Sequence, residues 1–276
     1  MTLAEHLDEL RSRVLRSVLA VVLAMVVAFV WNGPIFEFAI RPYRDAAAAL
    51  GTPSALQGIN PAETFLQVMK LCFLAALVVT SPFVLWQMWG FVSAGLYPHE
   101  RRGVRVYFPV SVALFLAGCV AAYRLLVPVA MRFLISFGES RGVRSDFGVG
   151  PYLSLCIALV LGMGIAFELP LVMLFLQGTG IVSRQAFRKG WRIAVLVAFV
   201  LGMVLTADPS PTSQVLMALP LVALYFLGVW GGKFVGEGRV PFRAVDAWPL
   251  VLAVAGFAAL LVFSDEIVAW SGTLFR

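Results

Sequence analysis

Among the charged residues of this 276-residue chain, one carboxylate lies inside an apolar run: Glu168, in Gly162-Met163-Gly164-Ile165-Ala166-Phe167-Glu168-Leu169-Pro170. A carboxylate placed near the middle of a membrane helix costs a few kcal/mol or more on insertion, so it marks either a function or a hydrogen bond that holds the bundle together. Pro170 has no N–H to offer the carbonyl of Ala166 and predicts a bend beside the acid. By itself Glu168 also fits the proton carrier of a proton-coupled secondary transporter for a small solute, with Lys70 or Arg124 as substrate contacts. Lys70, near a helix end, equally fits a side chain that snorkels to the interface.

Two further acids lie outside the apolar runs. Leu3, His6, Leu7, Leu10 and Val14 recur at helical spacing, with Asp8, Glu9, Arg11, Ser12 and Arg13 on the other faces. That pattern predicts an amphipathic helix leading into the first span, or simply an interfacial anchor. Glu100 follows Pro98, which predicts the start of the third spanning helix, where an acid can merely complement the helix dipole. Both acids are predicted on one face of the membrane. With the aromatic Phe91 nearby, such a pair suits recognition of arginine side chains.

Other chemistries find no support in the sequence. There are two histidines, His6 and His99, with no H-E-x-x-H, no G-x-S-x-G and no Gly-rich phosphate loop. No catalytic residue, metal site or cofactor is expected. Cys72, Cys119 and Cys156 lie in separate apolar runs without ligand spacing and read as small packing residues. Lone serines such as Ser111 and Ser154 read as helix-packing residues.

The elements that must carry these groups are membrane helices. Hydrophobic residues make up 61% of the chain and charged residues 13%, against about a quarter charged in soluble domains. Runs over about 15–31, 66–92, 106–129 and 152–177 are long enough to span. Those over 193–205, 215–230 and 247–263 are shorter. Trp31-Asn32-Gly33-Pro34, Leu96-Tyr97-Pro98 and Asp208-Pro209-Ser210-Pro211 supply linker chemistry. A basic first segment followed by an apolar run suggests a signal peptide, but the run is too long and lacks an A-x-A-like site, so a mature helix is expected. No internal repeat is visible, which argues against an inverted-repeat transporter. With the N-terminus inside, thirteen Lys and Arg residues fall on the cytoplasmic face and six on the other, so that orientation is expected. The net charge of +6 is mostly this bias plus contact with lipid headgroups, and no nucleic-acid motif accompanies it.

Four stretches in order carry a resemblance: His6-Leu7-Asp8-Glu9-Leu10-Arg11-Ser12-Arg13, Phe91 through Tyr97 to His99-Glu100-Arg101-Arg102, Phe167-Glu168-Leu169-Pro170, and Leu205-Thr206 with Asp208 and Ser213-Gln214. Together they resemble the TatC subunit family of the twin-arginine translocase. The resemblance implies an all-α polytopic membrane protein. Residues 1–235 would form a six-helix, glove-shaped bundle with short fifth and sixth helices; residues 236–276, beyond the resemblance, read from their own apolar run as an extension with a seventh hydrophobic helix. It also implies a receptor for twin-arginine signal peptides in a Sec-independent translocase that exports folded proteins across the bacterial inner membrane with the proton-motive force.

By the same resemblance, Glu9, Glu100, Phe91 and Arg11 bind the signal peptide. Glu168, Thr206 and Gln214 form an intramembrane polar patch that receives the single-helix partners TatA and TatB. Pro42, Pro170 and Asp208 are loop or structural positions, and the chain is implied to be a homo-oligomer within the complex. One departure is the loop Ala207-Asp208-Pro209-Ser210-Pro211-Thr212-Ser213-Gln214, where the family commonly reads T-P-P-D-P-x-S-Q. The other is the run Ala247 to Phe263, which would carry the C-terminus to the periplasmic face if it spans. A purely structural assembly subunit remains a third reading.

Overall fold

Without water to bond to, a backbone in lipid must satisfy its own N–H and C=O groups, so apolar runs of spanning length become helices. The computed structural model describes residues 3–51, 56–58, 60–95, 101–140, 148–205 and 211–233. Four helical stretches there are long and apolar enough to cross a bilayer: Ala4–Val30, Pro61–Ala94, Tyr107–Gly138 and Val149–Gly178. They match the four long runs and extend beyond most of their ends. The expected seventh run over 247–263, and with it the extension 236–276, lies outside the described residues, as do Glu100, Thr206 and Asp208.

Helix α1 (Leu3–Val30) packs along α3 (Pro61–Ala94) and turns Leu15, Leu19, Val22, Leu23 and Val26 outward. An apolar stripe left exposed in this way is a lipid-facing surface. Asn60 caps α3, its side chain accepting from the Ala62 N–H at 3.0 Å, and Pro61 follows at a position where no N–H is needed.

The stretch after Trp31 departs from the expected linker. The chain turns at Trp31 and at once forms α2 (Asn32–Leu50), with Ala39, Ile40, Tyr43, Ala46 and Ala47 buried. Pro42, expected as a loop or structural position, stands inside this helix and is buried. A proline there leaves the carbonyl four residues back without its helical donor. The Tyr123 hydroxyl supplies one, donating to the Phe38 carbonyl at 2.6 Å, and the Tyr152 hydroxyl donates to the next carbonyl, Ala39, also at 2.6 Å. Neighbouring spans thus stabilise a helix that its own sequence interrupts. Gly51, at φ 72°, ends α2 by donating its N–H back to the Ala47 and Ala48 carbonyls.

The third span combines α4 (Arg101–Ala121), a π-helical turn over Ala122–Leu126 and α5 (Val127–Glu139). The fourth is divided into α6 (Val149–Ala166) and α7 (Leu169–Gly178). After the short α8 (Arg184–Lys189) come α9 (Trp191–Leu205) and α10 (Pro211–Gly231), which pair with each other and, through α10, with α7. The 15 residues of α9 extend only about 22 Å, short of a hydrocarbon core of about 30 Å. α10, with 21 residues, is longer than its apolar run because Pro211 to Gln214 are helical too.

Helices α4 and α6 meet at glycines. A Cβ on Gly118 would lie 2.6 Å from the Met163 carbonyl oxygen, and one on Gly164 would lie 2.7 Å from Cys119 Sγ. Small residues allow this approach, and van der Waals contact between the backbones holds it. Gly118→Val is therefore expected to push α4 from α6 and to destabilise the protein by roughly 1–3 kcal/mol. A thermal melt in detergent reads the effect, and an unchanged midpoint would show that the contact is not tight.

Candidate functional site

At one end of α1 and α3 the sequence-predicted acid Glu9 sits one turn from Arg13. Arg13 donates from Nη2 and Nε to Glu9 Oε1, at 2.6 and 2.9 Å, and from Nη1 to Gln87 Oε1 on α3 at a longer 3.4 Å. Gly90 makes this possible, because any Cβ there would run into the Arg13 guanidinium. Beside the pair, His6 stacks on Phe91 with ring centroids 4.4 Å apart and planes 18° from parallel. One oxygen of Glu9 is thus fastened from within the chain. The other, Oε2, is buried and has no hydrogen-bond partner. A guanidinium brought alongside would find an unpaired carboxylate oxygen next to a flat aromatic surface, a combination suited to arginine. The pair is only partly shielded from solvent, so it orients Glu9 more than it stabilises the fold.

The structure brings Glu9 and Phe91 to the same end of the α1–α3 pair. Arg11 is exposed and takes part in neither ion pair of the described residues, Glu9–Arg13 and Glu37–Arg44.

Glu168 occupies the break between α6 and α7. Its N–H bonds to the Ile165 carbonyl at 3.1 Å, a tightened three-residue step, and Pro170 opens the next helix within its first two positions. Eighteen residues of helix precede the break and ten follow, which places Glu168 nearer the α7 end than the mid-depth its run suggests. Ser111 on α4, fully buried, donates its hydroxyl to Glu168 Oε2 at 2.7 Å. Glu168 Oε1 is buried and has no partner. Both candidate acids therefore have one oxygen bound within the chain and one buried without a partner.

Gln214 is engaged elsewhere, its amide donating to the Phe199 carbonyl at 3.1 Å and fastening α10 to α9. Thr206, Asp208 and Glu100, outside the described residues, are not placed relative to these groups. Among the described residues no group of His, Cys, Asp or Glu is arranged to hold a metal, and the three cysteines are buried and free.

Two serines expected only to pack turn out to partner buried polar side chains. Ser111 holds Glu168, and Ser154 accepts from Gln67 Nε2 at 3.0 Å. Gln87 and the Arg13–Glu9 pairing were also not singled out. The pairing was readable from i,i+4 spacing, but the contact with Gln87 depends on how α1 is set against α3.

A family model described as TatC, Sec-independent protein translocase protein, matches residues 5–220. The chain is similar to a Sec-independent protein translocase protein TatC of Koribacter versatilis, 36% identical over 229 residues that cover 83% of this chain and 84% of that protein. A TatC of Carboxydothermus hydrogenoformans is 34% identical over 235 residues, covering 85% of this chain and 94% of its own. Among solved structures, a crystal structure titled as the twin arginine translocase receptor TatC superposes with a TM-score of 0.75 at 30% identity, covering 83% of this chain and 99% of its own. A second structure, of the same receptor in DDM, gives the same values.

Proposed function

We infer from this chain, which belongs to the TatC family of Sec-independent protein translocase proteins, a receptor face for twin-arginine signal peptides at the His6–Phe91 end and a dock for a partner helix at Glu168. The chain is a multi-pass membrane protein and a component of the Tat translocase. Nothing found supports the solute-transporter reading, and the family match runs across the helices that reading would need.

The observation that carries the receptor reading is the unpartnered Oε2 of Glu9 beside the His6–Phe91 stack, which the incoming guanidinium reaches by parting the side chains that cover it. The first arginine of the signal peptide meets that oxygen, and Glu100, which follows α3 in the chain, takes the second. The peptide's apolar segment then lies along the helices towards Glu168. There Oε1 accepts a hydrogen bond from a TatA- or TatB-like single helix, a bond that the apolar surroundings make costly to leave unformed. The excess of basic residues on one face favours a cytoplasmic N-terminus in a bacterial inner membrane. It places the receptor face where newly folded cargo arrives. The proton-motive force drives export, in keeping with a sequence that has no phosphate-binding loop.

Binding of a fluorescent twin-arginine peptide to the detergent-solubilised protein tests this reading. A peptide with both arginines replaced by lysine is expected to bind about tenfold more weakly, because a lysine ammonium cannot form the planar fork. Equal affinity for the two peptides would count against it.

A further inference from the structure

The middle of α3 borders a cavity of about 610 Å3 between α2, α3, the end of α4, the π-helical turn and α6. Its lining is apolar except where Tyr123 and Arg124 enter. Val79 and Val120 line it and are also exposed, at 75% and 46%, on helices of spanning length, so the cavity opens sideways to hydrocarbon. Arg124 is exposed beside it. The Arg41 guanidinium lies 5.9 Å from the centroid of the Phe38 ring, which stacks on Tyr123 at 4.4 Å. Arg41 thus lies against one ring of this stack, and Arg124 directly follows the other ring in the chain. Neither belongs to an ion pair among the described residues, and neither pairs with Asp45. The π-helical turn that carries Tyr123 and Arg124 is a geometry found frequently at functional sites.

We propose that this cavity binds an anionic phospholipid, with an acyl chain in the apolar chamber and the phosphate between Arg41 and Arg124. The chamber has the volume of a small-molecule site, roughly 300–1,000 Å3, and opens where acyl chains are. Guanidinium groups recognise phosphate through paired N–H donors. A signal peptide that brings two arginines of its own would add like charge at this rim, so lipid is the occupant that the charges select. The proposal is independent of the receptor reading and concerns a different part of the molecule.

Native mass spectrometry tests it on the full chain, released into detergent from nanodiscs of equal phosphatidylglycerol and phosphatidylcholine. One phosphatidylglycerol per chain is expected to remain bound, preferred at least fivefold over phosphatidylcholine. The Arg41→Gln/Arg124→Gln double variant should lose that preference. Val120→Trp, which crowds the mouth and leaves both arginines, should lower retention of both lipids. Should the double variant fail to fold, Arg124→Lys, which keeps the charge but not the fork, is expected to reduce retention severalfold. Equal retention of the two lipids by the wild type, or unchanged retention in the arginine variants, would mean ordinary annular lipid and overturn the proposal. So would capture of a twin-arginine peptide, in place of lipid, by a photoreactive residue at position 120.

Discussion

Glu9→Ala is expected to weaken binding of a twin-arginine peptide by roughly 2–5 kcal/mol, the loss typical when one member of a buried, hydrogen-bonded charge pair is truncated. Much of that loss is the penalty on the arginine left facing a surface with no carboxylate. Stability should change far less. The internal partner of Glu9 is Arg13, whose side chain is 26% exposed, so water can replace the lost bond. Glu100→Ala is expected to act in the same direction. Fluorescence anisotropy with a labelled peptide, run alongside a thermal melt, separates recognition from folding. Unchanged affinity in both variants would remove these acids from the receptor face.

Replacing Glu168 should have an effect of similar size on a different step. In Glu168→Leu the buried Ser111 hydroxyl loses its acceptor, which costs roughly 1–3 kcal/mol. The unpartnered oxygen proposed to meet a partner helix disappears as well. Export and co-purification of the single-helix partners are both expected to fail. Glu168→Gln keeps a carbonyl and an amide at the same place, so partner association and export are expected to stay within severalfold of wild type. Export lost equally in both variants would show that a carboxyl proton is obligatory. Export kept in both would take Glu168 out of the mechanism.

How far the fold was legible in the sequence follows from what each element needs. The four long spans needed only continuous apolar length, and each run falls within an observed helix or extends to within a residue of its end. α2 was not legible. Gly33 and Pro34 read as linker chemistry and Pro42 as a loop or structural position, and the helix continues through Pro42 with Tyr123 and Tyr152, distant in sequence, satisfying the carbonyls near it. The π-helical turn was hidden because it lies inside a run that reads as one continuous spanning helix, with no Gly or Pro within the turn to mark it.

The candidate site divides in a similar way. Glu168 stood out because a carboxylate is anomalous in an apolar run, and Pro170 marked the break beside it. Ser111 carried no such mark. Its role appears only once Gly118 and Gly164 let α4 and α6 approach. Glu9 and Phe91 were drawn together by the predicted topology and by resemblance, and the structure adds the physical reason for their proximity: α1 runs along α3, with Arg13 laid across Gly90. The fastening of Gln214 to Phe199 was not foreseen, and it ties α10 to α9 rather than completing a bond to Glu168.

Photocrosslinking tests the receptor claim most directly. Gly95, exposed at the end of α3 and close to His6, can carry a photoreactive residue, as can Phe38 at the far end of the bundle. The account predicts that a twin-arginine peptide is captured from position 95, that capture falls sharply when the arginines are replaced by lysine, and that position 38 captures little. Equal capture from both positions, or capture from 95 indifferent to the arginines, would contradict it.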